Sequence, residues 1–153
     1  MAIKIKIGDL APSFEGPTAN GTLLGLKDFV GKKNVVLYFY PKDDTPGCTK
    51  EACNFRDNLQ PIRSMGAEIV GVSLDGVESH KKFITKYRLT FPLISDKEKR
   101  IARAYGVLRN TRASTNRVTF LIDKKGKVAK IFPRVDVTKH ADEVIAALGE
   151  LST

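Results

Sequence analysis

The sequence has few residues that bind metals or form disulfides. Its 153 residues include two cysteines, two histidines and no tryptophan. Two cysteines are too few for a disulfide scaffold in a chain of this length, so we expect their chemistry to be catalytic or redox-sensing. No second Cys or His pair is available to complete four ligands with Cys48 and Cys53. We therefore expect neither a metal site nor a cofactor.

Long apolar stretches and export signals are also missing. No apolar run approaches the length that spans a bilayer. Residues 1–7 alternate between apolar and polar side chains, as a strand does, and lack the continuous apolar segment of a signal peptide. These absences predict an intracellular protein, located in the cytoplasm and without membrane association.

Negative charge is scarce in one part of the chain. The formal net charge is +9, and residues 97–134 contain twelve Lys and Arg against Glu98 and Asp123. A solvated basic surface is the favoured interpretation. A nucleic-acid footprint is a second one, but we find no helix-turn-helix pattern, zinc-finger spacing or aromatic-rich RNA signature and expect no nucleic-acid partner. Attraction of an acidic protein partner is the third.

Three apolar runs and one turn signal indicate a sheet. Residues 35–40, 69–74 and 118–122 are continuous apolar runs, typical of central strands that are covered on both faces. The third run is followed by a turn at residues 123–126 and a strand near residues 127–131, which predicts an antiparallel pair. Asn20-Gly21 is a strong hairpin signal between short strands at residues 14–18 and 22–24.

Helical periodicity separates these strands. Apolar stripes occur in residues 45–58, in residues 77–88 and in the C-terminal stretch. Their members are Cys48, Ala52, Phe55 and Leu59, then His80, Phe83, Ile84 and Tyr87, then Ala141, Val144, Ile145 and Leu148. Strands that alternate with helices predict an α/β fold in one domain, residues 1–153, with a central mixed sheet flanked by helices and an N-terminal β-hairpin extension.

The two histidines have different expected environments. His80 falls on the apolar stripe of its helix, so we expect it to be packed and hydrogen-bonded. His140 is expected to be exposed in the first turn of the last helix. No histidine lies near Cys48 in the sequence, so a Cys-His hydrolase has no support from spacing, although proximity in space stays open.

Cys48 lies where a helix is predicted to begin. Thr45 is a favoured N-cap residue, and Pro46 is a favoured first helical residue. Cys48 then falls in the first turn, where backbone N–H groups lack partners within the helix and the helix dipole favours negative charge. Both effects stabilise a thiolate. The segment Thr45-Pro46-Gly47 therefore favours a reactive cysteine over two unrelated reduced cysteines.

Cys53 lies five residues beyond Cys48. In an ideal helix, five residues give a rise of about 7.5 Å and a rotation of about 140°, which places the two Cα atoms roughly 8–9 Å apart. A disulfide needs Cα atoms within about 7 Å and converging Cβ directions. The two cysteines therefore cannot bond unless the first turns of the helix unwind. Cys53 also lies off the apolar stripe, which is unusual for a structural free cysteine.

The segment around Cys48 resembles the active site of the peroxiredoxins, which are thiol peroxidases. Pro41-x-x-x-Thr45-x-x-Cys48 matches their active-site pattern, and Cys53 resembles the PrxQ subfamily, also called bacterioferritin comigratory proteins. Similar segments cover nearly the whole chain: residues 8–14, 71–75, 91–96 and 117–123, with Ser79, His80 and Phe83. The resemblance implies a thioredoxin-like fold.

The resemblance implies an antioxidant enzyme. Cys48 would be the peroxidatic cysteine, which attacks hydrogen peroxide or an organic hydroperoxide and becomes a sulfenic acid. Cys53 would resolve it as an intrachain disulfide, and thioredoxin or a similar dithiol reductant would recycle the enzyme, expected as a monomer or weak dimer. A thioredoxin-like disulfide oxidoreductase or redox adapter is the rival interpretation, but such proteins commonly use C-x-x-C cysteines that bond without unwinding.

Four further residues receive roles from the resemblance. Thr45 and Arg117 would contact the thiolate and the peroxide, Pro41 would shield the site, and Glu51 would help to hold the arginine.

The choice of Arg117 involves two nearby alternatives. Residues 109–116 form a longer and more basic segment than in many relatives, and this segment contains Arg109 and Arg112. We select Arg117 because it directly precedes the predicted strand at residues 118–122, which provides a rigid platform beside the site.

Overall fold

Strands and helices alternate along the chain. The computed structural model describes residues 3–111 and 113–151. The strands are β1 (Glu15–Pro17), β2 (Leu23–Gly25), β3 (Asn34–Phe39), β4 (Ala67–Ser73), β5 (Leu93–Ser95), β6 (Val118–Ile122) and β7 (Val128–Phe132). The helices are α1 (Pro46–Asp57), α2 (Leu59–Ser64), α3 (Val77–Tyr87), α4 (Arg100–Tyr105) and α5 (His140–Leu151), and a short 3-10 helix covers Leu26–Asp28.

A mixed sheet with the strand order β5-β4-β3-β6-β7 lies at the centre. β3, β4 and β5 are parallel, β6 is antiparallel to β3, and β7 is antiparallel to β6. Because β3 and β6 are buried on both faces, both strands have continuous apolar sequences. β1 and β2 pair separately as an antiparallel hairpin. The predicted α/β fold with a mixed sheet and an N-terminal hairpin is confirmed.

Alternate residues of β3 face two hydrophobic cores. Val36 and Tyr38 pack against side chains of α1, α2 and α5 on one face of the sheet. Val35 and Leu37 pack on the other face, against α4 and the segment around the hairpin. Each large apolar side chain buried in this way stabilises the fold by about 1.5–3 kcal/mol. Cys48 belongs to the first core, so the alternation places Tyr38 on the same side of the sheet as Cys48.

The antiparallel pairing of β3 with β6 determines where the functional segments meet. Phe39, the last residue of β3, pairs with Val118, the first residue of β6. The loop after β3 leads into α1, and Arg117 immediately precedes β6. The register therefore brings together Cys48 and Arg117, which are 69 residues apart in the chain.

Most predicted elements are present within about two residues of their expected bounds. The prediction omitted β5, α2 and α4, because three or six residues are too few to show a hydrophobic period. The alternation at the N-terminus gives no strand in residues 3–7, and residues 1 and 2 lie outside the described ranges. None of the described helices combines the length and hydropathy needed to cross a membrane.

The two histidines are both buried. For His80 this confirms the prediction, since its ring nitrogens contact Asp43 Oδ2 at 2.7 Å and the Ile94 carbonyl oxygen at 3.1 Å. For His140 the predicted exposure is wrong, since its ring lies against Phe55 and Phe132. The reason is its position on the inner stripe of α5, four residues before Val144, so the ring faces the sheet.

Candidate active site

Cys48 lies in the first turn of α1, as predicted. Thr45 occupies the N-cap position with an extended backbone (φ −96°, ψ 157°), and Pro46 is the first helical residue. The Thr45 hydroxyl does not cap the helix; it donates a hydrogen bond to the carbonyl oxygen of Lys42 at 2.9 Å. The first-turn N–H groups therefore remain available to stabilise negative charge near Cys48.

The Cys48 side chain is almost completely buried. The residue is 1% exposed and belongs to the core that contains Tyr38, Ala52 and Phe55. Apolar surroundings disfavour an isolated charge. A thiolate at this position therefore needs cationic or hydrogen-bonding partners close to the sulfur.

Arg117 supplies such a partner from the start of β6. Its Nη1 donates to Cys48 Sγ at 3.5 Å and to Glu51 Oε1 at 2.8 Å. The Arg117 side chain is 22% exposed, whereas that of Glu51 is fully buried. Arg117 immediately precedes β6, which is central and buried, so its backbone is held by a rigid strand and not by α1. The structure thus brings together three of the residues predicted for the site.

Glu51 lies one turn after Cys48 on α1 and is shielded from solvent. Burial raises its pKa to about 7, and the opposing attraction of Arg117 does not cancel that effect. Its second oxygen, Oε2, has no hydrogen-bond partner among the described residues, and the same is true of the Tyr38 hydroxyl. Burial, and then the charge of Glu51, raise the pKa of Tyr38 well above its usual value. Two buried polar groups near Cys48, Glu51 Oε2 and the Tyr38 hydroxyl, can therefore still form hydrogen bonds.

Gly47 permits the close approach of Arg117 to α1. A Cβ atom at this position would lie 2.9 Å from Arg117 Nη2. The sequence indicated this contact only weakly, through a glycine in the first turn of a helix, where glycine is unfavourable. The missing side chain at Gly47 therefore leaves room for the guanidinium beside the first turn of α1.

The loop before α1 is anchored by a buried hydrogen-bond network. Asp43 accepts hydrogen bonds from the hydroxyls of Tyr40 at 2.6 Å and Ser79 at 2.8 Å, and Asp43 Oδ2 lies 2.7 Å from His80 Nδ1. The backbone N–H of Asp43 donates to Asp75 Oδ2 at 2.8 Å. These contacts fasten the loop to α3 and to the end of β4.

A strained backbone position follows in the same loop. Asp44 has a positive φ of 57°, which is uncommon for a residue other than glycine. Lys86 Nζ and the Tyr87 hydroxyl each donate to its carboxylate at 2.8 Å. Two hydrogen bonds from α3 therefore hold the residue that precedes Thr45.

Cys53 lies at the edge of the site. Both cysteines of the chain are described, and both are free. Cys53 is half-buried and lies within the continuous helix α1, outside the core cluster that contains Cys48. The helix holds the two thiols on different faces, as the five-residue spacing requires.

The remaining predicted residues lie at the rim or outside the described chain. Pro41 is half-buried directly after Tyr40. Arg109 is exposed, and Arg112 lies outside the described residues. Sequence reasoning did not identify Thr115, which is buried and donates through its hydroxyl to the carbonyl oxygen of Tyr40 at 3.0 Å. Thr115 thus joins the segment before β6 to the loop after β3.

The chain is similar to known proteins over most of its length. Residues 7–131 match the model of the AhpC/TSA family. A putative peroxiredoxin bcp of Coxiella burnetii is 44% identical over 152 residues, covering 95% of this chain and all of the relative.

Solved structures are similar over almost the full length. The peroxidoxin BcpB of Mycobacterium tuberculosis has a TM-score of 0.90 and 37% identity, covering 97% of this chain and 99% of that one. The bacterioferritin comigratory protein of Xanthomonas campestris, studied for alkyl peroxide reduction, has a TM-score of 0.87 and 34% identity, covering 99% and 100%.

Proposed function

The chain belongs to the AhpC/TSA family, and from this premise we propose that Cys48 is the residue with which it reduces peroxides. The chain is a thiol peroxidase of the peroxiredoxin type. One observation carries the assignment of Cys48: its sulfur lies in the first turn of α1 and 3.5 Å from Arg117 Nη1. A buried thiol with a helix N-terminus and a guanidinium around it is suited to nucleophilic attack.

In the proposed first step, the Cys48 thiolate attacks one peroxide oxygen. A sulfur–oxygen bond forms, the oxygen–oxygen bond breaks, and water or an alcohol leaves. Arg117 and the Cys48 backbone N–H stabilise the charge that develops on the leaving oxygen. The Thr45 hydroxyl donates to Lys42, so its lone pairs are free to accept a hydrogen bond from the peroxide O–H. Pro41 is proposed to shield the site from bulk water.

In the proposed second step, Cys53 resolves the sulfenic acid. The first turns of α1 unwind, the Cys53 thiol displaces the sulfenic oxygen as water, and an intrachain disulfide forms. A dithiol reductant, either thioredoxin or a protein of similar chemistry, then returns both cysteines to thiols. The half-buried position of Cys53 on an intact helix supports this order of events.

The state of the enzyme in the cell follows from this cycle. An intrachain disulfide requires one chain only, so we propose a monomer, with a weak dimer as the alternative. Recycling by a dithiol reductant requires a reducing compartment, and we propose the cytoplasm. Sedimentation of the reduced and oxidised enzyme measures the oligomeric state, and cell fractionation measures the location.

Single-site variants test the proposed cycle. Cys48→Ser is expected to abolish peroxide consumption. Cys53→Ser is expected to retain the first oxidation, measured by stopped flow, and to lose thioredoxin-driven turnover. Peroxide-treated wild type is expected to be a monomer lighter by two hydrogens in mass spectrometry. Full activity of Cys48→Ser would refute the assignment, and faster insulin-disulfide reduction than peroxide consumption would favour the disulfide oxidoreductase.

A further inference from the structure

One guanidinium nitrogen is shared by two acidic groups. Nη1 of Arg117 is 3.5 Å from Cys48 Sγ and 2.8 Å from Glu51 Oε1. Both acidic groups are buried, with Cys48 1% and Glu51 0% exposed. If both were ionised, one positive charge would face two negative charges away from water. Such an arrangement leaves one buried charge without a cation of its own, with only the backbone N–H groups at the start of α1 to stabilise it, which is unfavourable.

The titratable groups around the pair do not supply a second cation. Tyr38 of β3 is a neutral phenol, because burial and the charge of Glu51 raise its pKa. His140 of α5 is also electrostatically coupled to Arg117, and burial lowers the pKa of its imidazole. Within the described residues, Arg117 is the cation that forms an ion pair with Glu51. The two acids therefore share a single counter-charge.

When Cys48 is reactive, protonation of Glu51 is more favourable than protonation of Cys48. Peroxide attack requires the thiolate form of Cys48. Oε2 of Glu51 has no hydrogen-bond partner among the described residues. In a buried environment of this kind, a neutral carboxyl group is less unfavourable than a carboxylate. We propose that Glu51 holds a proton while Cys48 is a thiolate, and gives it up when Cys48 is oxidised. The proposal rests on the proposed peroxidase role of Cys48.

The step balances in atoms, electrons and charge. Thiolate, protonated Glu51 and a hydroperoxide ROOH become sulfenic acid, ionised Glu51 and the alcohol ROH. Sulfur loses two electrons, and the oxygen–oxygen bond gains them. The leaving oxygen takes up one proton and Glu51 releases one, so the solvent supplies none. Because the sulfenic acid is neutral, the charge of Arg117 then serves Glu51 alone. Burial also raises the pKa of Glu51 to about 7, which permits this exchange near neutral pH.

Infrared difference spectroscopy locates the proton. The experiment uses Cys53→Ser, which stops at the sulfenic acid, and compares spectra before and after hydrogen peroxide. We expect loss of a buried carboxylic-acid C=O band together with loss of the ultraviolet absorbance of the thiolate. Cys53→Ser/Glu51→Gln is expected to lack the band change. Asp96, another carboxyl whose pKa is raised by burial, hydrogen-bonds to α4 and is expected to contribute no change.

A proton count provides the second measurement. In weakly buffered solution with a pH indicator, Cys53→Ser is expected to take up no proton on oxidation. Cys53→Ser/Glu51→Gln is expected to take up about one proton per Cys48, because its thiolate has no neighbouring acid to draw on. Glu78→Gln in the Cys53→Ser background removes an exposed carboxyl and is the matched control, expected to behave like Cys53→Ser.

The outcomes separate the two proposals. Cys48 oxidised without loss of the acid band, or with uptake of one proton in Cys53→Ser, would overturn the role of Glu51 and leave the peroxidase intact. No oxidation of Cys48 by mass spectrometry would instead refute the peroxidase assignment. Since the band is measured in a protein that retains Glu51, the test stands even if the Gln variant does not fold.

Discussion

The proposed chemistry at Cys48 depends on atoms that lie within one or two side chains of the sulfur. The thiol is buried, so its charge must be stabilised by the first turn of α1 and by Arg117. Arg117 also pairs with Glu51, and Gly47 leaves the space in which the guanidinium lies. Changes of one functional group at these positions are expected to alter the reaction rate more than the stability of the fold.

The planar guanidinium of Arg117 is expected to be essential. Arg117→Lys retains the positive charge, but an ammonium group lacks the planar, rigid set of N–H donors with which the guanidinium contacts Cys48 and Glu51. We expect the rate constant for Cys48 oxidation, measured by stopped flow, to fall about 10²-fold. Arg109→Lys changes an exposed arginine and is the control, expected to keep the wild-type rate. Equal losses in the two variants would show that Arg117 was selected wrongly.

A substitution at Gly47 is expected to affect activity and stability in opposite directions. Gly47→Ala adds a methyl group 2.9 Å from Arg117 Nη2, so the guanidinium must shift, and we expect its contact with the sulfur to weaken. We expect oxidation to slow about tenfold, equivalent to ~1.4 kcal/mol in the barrier. Alanine in a helix is also favoured over glycine by about 1 kcal/mol. Stopped-flow kinetics and urea unfolding measure the two effects, and an equal fall in both would contradict this explanation.

Helix α1 is fastened at both ends to elements that do not contain a cysteine. Before it, Asp43 and Asp44 are bound to residues of α3. Towards its C-terminal end, Asn54 Oδ1 accepts from the backbone N–H of Ala141 at 2.9 Å, and Arg56 Nη1 donates to the Tyr87 carbonyl oxygen at 2.6 Å. The turns between these anchors contain Cys48 and Cys53. Unwinding is therefore expected to be confined to that part of α1.

Hydrogen exchange measures the extent of the unwinding. On formation of the disulfide, amides of residues 49–54 are expected to lose protection, because their helical hydrogen bonds break. Amides of residues 55–57 are expected to follow them, because their helical acceptors are the carbonyl oxygens of residues 51–53. Amides of α3 are expected to keep their protection. Cys53→Ser treated with peroxide is the control and should retain protection throughout α1. Full protection of residues 49–54 in the oxidised wild type would exclude the unwinding model.

The elements differ in how far sequence predicts them. β3 and β6 were predictable because both faces are buried and their sequences are continuously apolar. β5 was not predictable, because three residues after Pro92 are too few to show a hydrophobic periodicity. The position of Cys48 in the first turn of a helix was predictable from Thr45 and Pro46, but the burial of Glu51 and the contact at Gly47 depend on packing between distant segments. A charged residue in a helix has no sequence pattern that reveals its burial, and a glycine in a helix indicates a close contact only weakly.

The described molecule has two cores that share one sheet. β3 contributes alternate residues to both, so loss of the sheet removes both cores together. We therefore propose that residues 1–153 unfold as one domain. Within the basic segment at residues 97–134, Arg117 and Lys124 lie beyond opposite ends of β6. This division favours a solvated surface over a nucleic-acid footprint.

The raised pKa of Glu51 predicts how stability changes with pH. Folding raises this pKa from 4.5 to about 7, so between these values the folded protein binds more protons than the unfolded chain. Stability therefore falls as pH rises through this window, by about 3 kcal/mol at most. Glu51→Gln is expected to lose this dependence in urea unfolding, followed by circular dichroism and tyrosine fluorescence. Glu78→Gln should follow the wild type, and parallel curves for wild type and Glu51→Gln would contradict the prediction.

The antiparallel pairing of β3 with β6 has a consequence for the newly made chain. Cys48 is synthesised 69 residues before Arg117, and the two meet only after β6 has paired with the end of β3. A nascent chain that has emerged only as far as α1 carries an ordinary thiol without its guanidinium. We therefore expect Cys48, in its proposed peroxidatic role, to become reactive only when the strand that completes the site has been added, and the nascent chain to be protected from premature oxidation.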